Sequence, residues 1–217
     1  MVCVVLLGPA LLAACGSNGE GERYLGYLSQ LRGVISPQQA VATDVRAALT
    51  PEAVAQLGTP VLIATFPQRA NAQLLFTPNA SNDDVTSWRS PDGTGLVLRH
   101  GVLSRTQAVG GDLMSADLAD VLAALAGHAD QATRIHRYLD GENHVVAESF
   151  ICDYARAADS TSAYFHEIRV TRVDETCSGI DYIFENQYWI TGTGAIVRAV
   201  QWISEPAGYV EYERLID

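Results

Sequence analysis

The sequence predicts a mainly β fold, an antiparallel β-sandwich or partly closed barrel with two or three short helices, built as a single β-rich domain over residues 23–217. Three observations lead there. From Pro60 onward apolar residues recur with the two-residue period of strands. The segments 132–139, 144–155, 162–174, 180–191, 195–203 and 208–216 read as consecutive strands separated by glycines and Asp-containing turns. Helical spacing is confined to short windows, so long antiparallel neighbours dominate the architecture.

Taken in order, Tyr24, Leu25, Tyr27, Leu28 and Leu31 fall at three- and four-residue spacing and predict a short amphipathic helical segment. Ser36-Pro37 opens a second helix. Serine can cap it, proline is tolerated in its first turn, and Val41, Val45, Ala48 and Leu49 lie on one side. Thr50-Pro51 ends it, and residues 51–57 predict one more helical turn before Gly58. Val61–Phe66 and residues 73–77 form a hairpin or meander joined through Pro67-Gln68-Arg69, followed by a polar loop over 79–84. Ser90-Pro91-Asp92-Gly93 is a turn, because proline fixes φ and glycine takes positive φ, and it sets Trp88 and Leu98 in adjacent antiparallel strands. His100-Gly101 permits another tight reversal. Gly110-Gly111 breaks the next strand, and Ser115 begins a helix over 116–126 whose apolar side carries Leu118, Val121, Leu122 and Leu125. Gly192-Thr193-Gly194, between Ile190 and Ile196, reads as a hairpin turn and not as a phosphate-binding loop.

The first 14 residues contain no charged side chain. A run of this length is too short for a bilayer span, which needs ~20 residues, so residues 1–14 read as an export signal. Leu12-Ala13-Ala14-Cys15 resembles a bacterial lipobox. That resemblance implies cleavage before Cys15 and its lipidation, giving a membrane contact through the N-terminal lipid. Residues 15–22 then form the lipidated cysteine and a flexible polar tether, Gly16-Ser17-Asn18-Gly19-Glu20-Gly21-Glu22. Gly16 stands where a retention signal would place Asp, which implies an outer-membrane lipoprotein held on the periplasmic face.

Fourteen basic against 25 acidic residues give a net charge of −11, so a phosphate backbone would be repelled and no nucleic-acid partner is expected. Of the four cysteines, Cys3 leaves with the signal and Cys15 takes lipid. Cys152 and Cys177 remain, and in an exported protein they read as one disulfide, stapling strands across a connection at 157–162. The histidines at 100, 128, 136, 144 and 166 form no metal-binding spacing, so neither metal nor cofactor is expected.

The sequence holds no Gly-x-Ser-x-Gly elbow, no P-loop and no dinucleotide-binding glycine pattern after a strand. It therefore predicts no catalytic residue. Glu148, Asp153, Glu167, Glu185, Glu211 and Glu213 would suffice for a glycosidase pair, but a solvated sheet face explains them more simply. Aromatic residues concentrate near the end of the chain. Strand alternation sets Tyr182, Phe184 and Tyr188 on one side and Trp189 on the other. Trp189 with Gln187 and Glu185 makes the best candidate face for a sugar or protein partner, and Tyr188 and Trp202 complete the candidate contact set.

Two blocks carry a family resemblance. The first runs from Trp88 through Pro91-Asp92-Gly93 to Leu98-Arg99-His100-Gly101-Val102-Leu103, then Arg105-Thr106 and Gly110-Gly111-Asp112-Leu113. The second holds Glu185-Asn186-Gln187-Tyr188-Trp189, Gly194, Arg198, Gln201-Trp202, Pro206, Gly208-Tyr209-Val210 and Glu213. Together they resemble the YjbF/GfcB lipoproteins encoded with capsule and exopolysaccharide export systems. The resemblance implies a β-rich accessory lipoprotein that contacts the polysaccharide or its export proteins. Two other classes compete with it: a glycan-modifying enzyme using a carboxylate pair, and a periplasmic carrier of lipid or acyl chains.

Overall fold

The computed structural model describes residues 44–217; the predicted signal, Cys15, its tether and the helical segments before Asp44 lie outside the described residues. Two short helices come first, α1 (Val45–Ala48) and α2 (Pro51–Ala55). Asp44 and Thr50 cap them, their side-chain oxygens accepting from Ala47 N–H (3.1 Å) and Ala53 N–H (3.2 Å). Asp44 has an extended backbone, so α1 starts after it, and the part of the predicted helix before Asp44 lies outside the described residues.

Twelve strands follow: β1 (Val61–Phe66), β2 (Ala72–Asn82), β3 (Val85–Arg89), β4 (Gly95–Arg99), β5 (Val102–Gln107), β6 (Ser115–Asp117), β7 (Gln131–Leu139), β8 (Val145–Ala163), β9 (His166–Ser178), β10 (Ile183–Ile190), β11 (Ile196–Ser204) and β12 (Gly208–Ile216), with α3 (Ala119–Leu125) between β6 and β7. The sheet order is β5-β4-β3-β2-β1-β12-β11-β10-β9-β8-β7-β6. Each strand pairs antiparallel with its neighbour in sequence except β5 and β6, which end the sheet, and β12 returns to pair with β1. Such a meander curls into a nearly closed barrel, which removes most exposed edges and decides between the two expected architectures. The seam lies between β5 and β6. There Thr106 N–H donates to Leu113 O (2.9 Å), and Asp112 gathers the Thr106 hydroxyl and two loop amides.

Alternation sends Leu62, Ala64, Phe76, Trp88, Leu96, Leu98, Val210 and Tyr212 into one core, and α3 closes the lower end of the barrel with Val121, Ala124 and Leu125. At that end His100-Gly101 turns with φ of 49° and 87°. A Cβ on Gly101 would lie 2.8 Å from Ile196 Cβ, and its carbonyl accepts from Tyr212 (2.5 Å) and Gln201 (3.1 Å). Only glycine fits so close an approach.

Three elements differ from expectation. Residues 79–82 continue β2 because Ala80, Ser81 and Asn82 pair with β3 past a bulge at Asn79, and the turn is confined to Asp83-Asp84. Ser115–Asp117 pairs with β7 as a strand, which delays the helix to Ala119. Residues 157–162 are no connection, since β8 and β9 pair through them and turn at Tyr164-Phe165, both with positive φ. Two aromatic residues in a turn of this type carry none of the usual Asn or Gly signal.

The hairpin is longer than its neighbours. β7 leaves β8 at Gln131↔Asp153 and β10 leaves β9 at Thr171↔Ile190, so residues 154–170 form a two-stranded ribbon. The ribbon packs Ala163, Val170 and Ile168 against Val197 and Trp189, and its tip is held by Tyr164 N–H on Arg214 O (3.0 Å).

Candidate functional site

Inside the barrel β7, β8, β9 and β10 bring five charged and polar side chains together. Arg134 donates to both carboxylate oxygens of Glu175 (3.0 and 2.8 Å), and Tyr154 (2.6 Å), Tyr188 (2.8 Å) and Asn186 (2.7 Å) donate to the same oxygens. Five donors saturate the lone pairs of one carboxylate. Burial works against the Arg134 charge, but the Glu175 carboxylate together with the Tyr188 and Tyr154 oxygens outweighs it and holds the guanidinium above its ordinary range. Burial pushes both tyrosine hydroxyls up. Cys152, Cys177 and Glu175 lie close enough together to suggest an ion site. The two sulfurs, however, are bonded to each other across β8 and β9, and Glu175 is already fully occupied.

Above this network lies an aromatic cluster. Phe184 stacks between His136 and Trp202, with Phe150 edge-on to it and the disulfide alongside. His136 Nδ1 meets the Tyr138 hydroxyl (2.9 Å), which donates to Ile203 O (2.7 Å). Burial, then the nearby Arg134 charge, holds the imidazole well below its ordinary range.

The candidate contact residues do not form one face. Glu185 is exposed and Gln187 and Trp189 are half-buried on the outside of β10, whereas Tyr188 is fully buried and unavailable as a surface contact. Trp202 is half-buried and belongs to the aromatic cluster, its backbone N–H taken by Asn186 Oδ1 (2.7 Å) in place of a β10 partner. Trp189 is no free stacking platform either. Its indole N–H donates to Asp159 of the ribbon (3.1 Å), and Arg198 covers its ring at 5.0 Å. The row continues across the sheet through Arg198↔Glu213 to Arg46 of α1, which grips Glu213 with two hydrogen bonds (3.0 and 2.9 Å). The other carboxylates are also engaged: Glu148 by Tyr182, Glu211 by Arg198, Glu167 by Ser160 and Asp153 by Gln131.

A cleft of about 430 Å³ at the lower end of the barrel was not legible in the sequence. Leu122 and Ile190 give it apolar walls, and Asp84, Arg99, His100 and His128 supply its polar groups. Arg99 lies 2.5 Å from Asp84 and holds that carboxyl below its usual range, with His100 3.5 Å away on the same oxygen. Its members come from two hairpin turns, α3 and the ends of β10 and β11, too far apart in sequence to form a motif.

The barrel has a solved counterpart in the hypothetical lipoprotein YmcC from Escherichia coli (K12), with a TM-score of 0.67 at 16% sequence identity over 83% of this chain and 97% of that one. No curated protein is similar enough to match. The model of the YjbF family, described as group 4 capsule polysaccharide lipoprotein gfcB, matches residues 36–215, and the chain belongs to this family.

Proposed function

We propose that this chain is a non-catalytic accessory lipoprotein of capsule or exopolysaccharide production or export, held on the periplasmic face of the outer membrane through lipid on Cys15. It acts by binding the polymer or a protein of the export system. The observation that carries this reading is the family match over residues 36–215 on a barrel whose interior charges are spent on one another. Arg134 and Glu175 are sealed from solvent, so chemistry at them would require a substrate to enter a packed interior. The same packing argues against a carrier, because acyl chains need a dry cavity where Tyr188, Phe184 and Leu96 now sit. Contact then falls to the outside, at Glu185 and Gln187 or in the lower-end cleft, whose volume is in the range of about 300–1,000 Å³ typical of ligand sites.

The test is surface and released polysaccharide in a strain deleted for the gene, with complementation by the wild type. The reading predicts a fall in polymer that complementation restores. Unchanged amount with altered glycan composition would instead indicate a modifying enzyme. Unchanged amount and composition would overturn both.

A further inference from the structure

The ribbon leaves one edge of β8 open. Pairing with β9 runs without a bulge from Ile151↔Ser178 to Ala163↔His166. Along an antiparallel strand, alternate residues turn both N–H and C=O to the same side. Three amides identify the side facing away from β9: Tyr154 N–H reaches Asp130 O (3.1 Å), Ser160 N–H reaches Asp159 Oδ1 (2.8 Å) and Tyr164 N–H reaches Arg214 O (3.0 Å). Even-numbered residues therefore face outward. Between the anchored ends, the amides of Arg156, Ala158 and Ser162 have no backbone partner among the described residues, and all three residues are exposed.

Monomeric proteins blunt such edges with lysine, proline or a bulge. Residues 155–163 contain none of these; their two charged side chains are turned to the barrel, Arg156 onto the Ala124 carbonyl and Asp159 onto the Trp189 indole, and five of the nine, Ala155, Ala157, Ala158, Ser160 and Ser162, are exposed alanines or serines. A row of alternating donors and acceptors is satisfied by another extended backbone. We propose that this edge pairs antiparallel with the same edge of a second copy of the chain, about a two-fold axis at Ala158. In that register Arg156 faces Ser160 and Ala157 faces Asp159, so no like charges meet. Centring on Asp159 would set two carboxylates against each other. The net charge of −11 on each copy opposes association, so pairing strengthens with salt.

Analytical ultracentrifugation of the purified chain at ~0.15 M salt, where the Debye length is about 8 Å, tests this. The wild type forms a concentration-dependent dimer. Ala158→Lys, which opposes two ammonium groups, weakens it at least about tenfold. Mixing Ala158→Lys with Ala158→Asp restores a mixed dimer. Ala158→Pro removes an outward amide without touching the β9 pairing and also gives monomer, with circular dichroism confirming the fold. A wild type that stays monomeric at every concentration would overturn the proposal, as would a dimer indifferent to Ala158→Lys.

Discussion

Arg134 on β7 and Glu175 on β9 reach past the intervening strand to form a two-pronged ion pair whose side chains are 2% and 0% exposed. Desolvating two charges is repaid only while both are present and hydrogen-bonded. Glu175→Gln is predicted to lower unfolding free energy in urea by about 3–5 kcal/mol, because it strands a buried guanidinium. Arg134→Met with Glu175→Leu removes both charges but strands the Tyr154 and Tyr188 hydroxyls, so the apolar replacement that is expected to cost less than the single change also carries Tyr154→Phe and Tyr188→Phe.

His136 sets a pH dependence. Its folded pKa lies well below the unfolded value of about 6.5, so below that pH the unfolded chain binds a proton that the folded chain refuses. Its contribution to stability is therefore complete above about pH 6.5 and is lost as pH falls, at up to about 1.4 kcal/mol per pH unit. His136→Phe, among Phe150 and Phe184, should flatten the slope of stability between about pH 6.5 and 5. Identical slopes for the two proteins would contradict this.

The Cys152–Cys177 bond closes a loop with a sequence separation of 25, for which chain entropy gives about 3–4 kcal/mol. Replacing both cysteines by alanine is predicted to lower the denaturation midpoint accordingly while far-ultraviolet circular dichroism stays that of a β barrel.

Gly101→Ala forces a side chain onto Ile196 in a left-handed backbone, and a loss of at least about 1–3 kcal/mol is expected. Tyr212→Phe removes one of two donors to the Gly101 carbonyl and should cost about 1 kcal/mol. Thermal melts of the two variants check the ranking.

Much of the barrel was legible because its strands alternate cleanly: β1 and β12 coincide with the predicted segments Val61–Phe66 and 208–216. The errors fell where tertiary pairing overrides composition. Polar residues 79–82 are strand because β3 supplies partners, and Tyr164-Phe165 turns without a turn residue because the ribbon tip docks on Arg214. Alternation also put Tyr188 and Trp189 on opposite faces, as they are. Which face was covered could not be read locally, since the ribbon that shields Trp189 lies about 30 positions earlier in the chain. The cleft at Asp84 and His128 left no local signal, because its residues meet only when the meander closes.

The anchored accessory reading is tested most directly by complementing the deletion strain with Cys15→Ala at the abundance of the wild type, measuring surface polysaccharide and the membrane fraction holding the protein. The account predicts that wild type restores polymer from the outer-membrane fraction, while Cys15→Ala stays unanchored and restores little. Full restoration by an unanchored Cys15→Ala protein would contradict it.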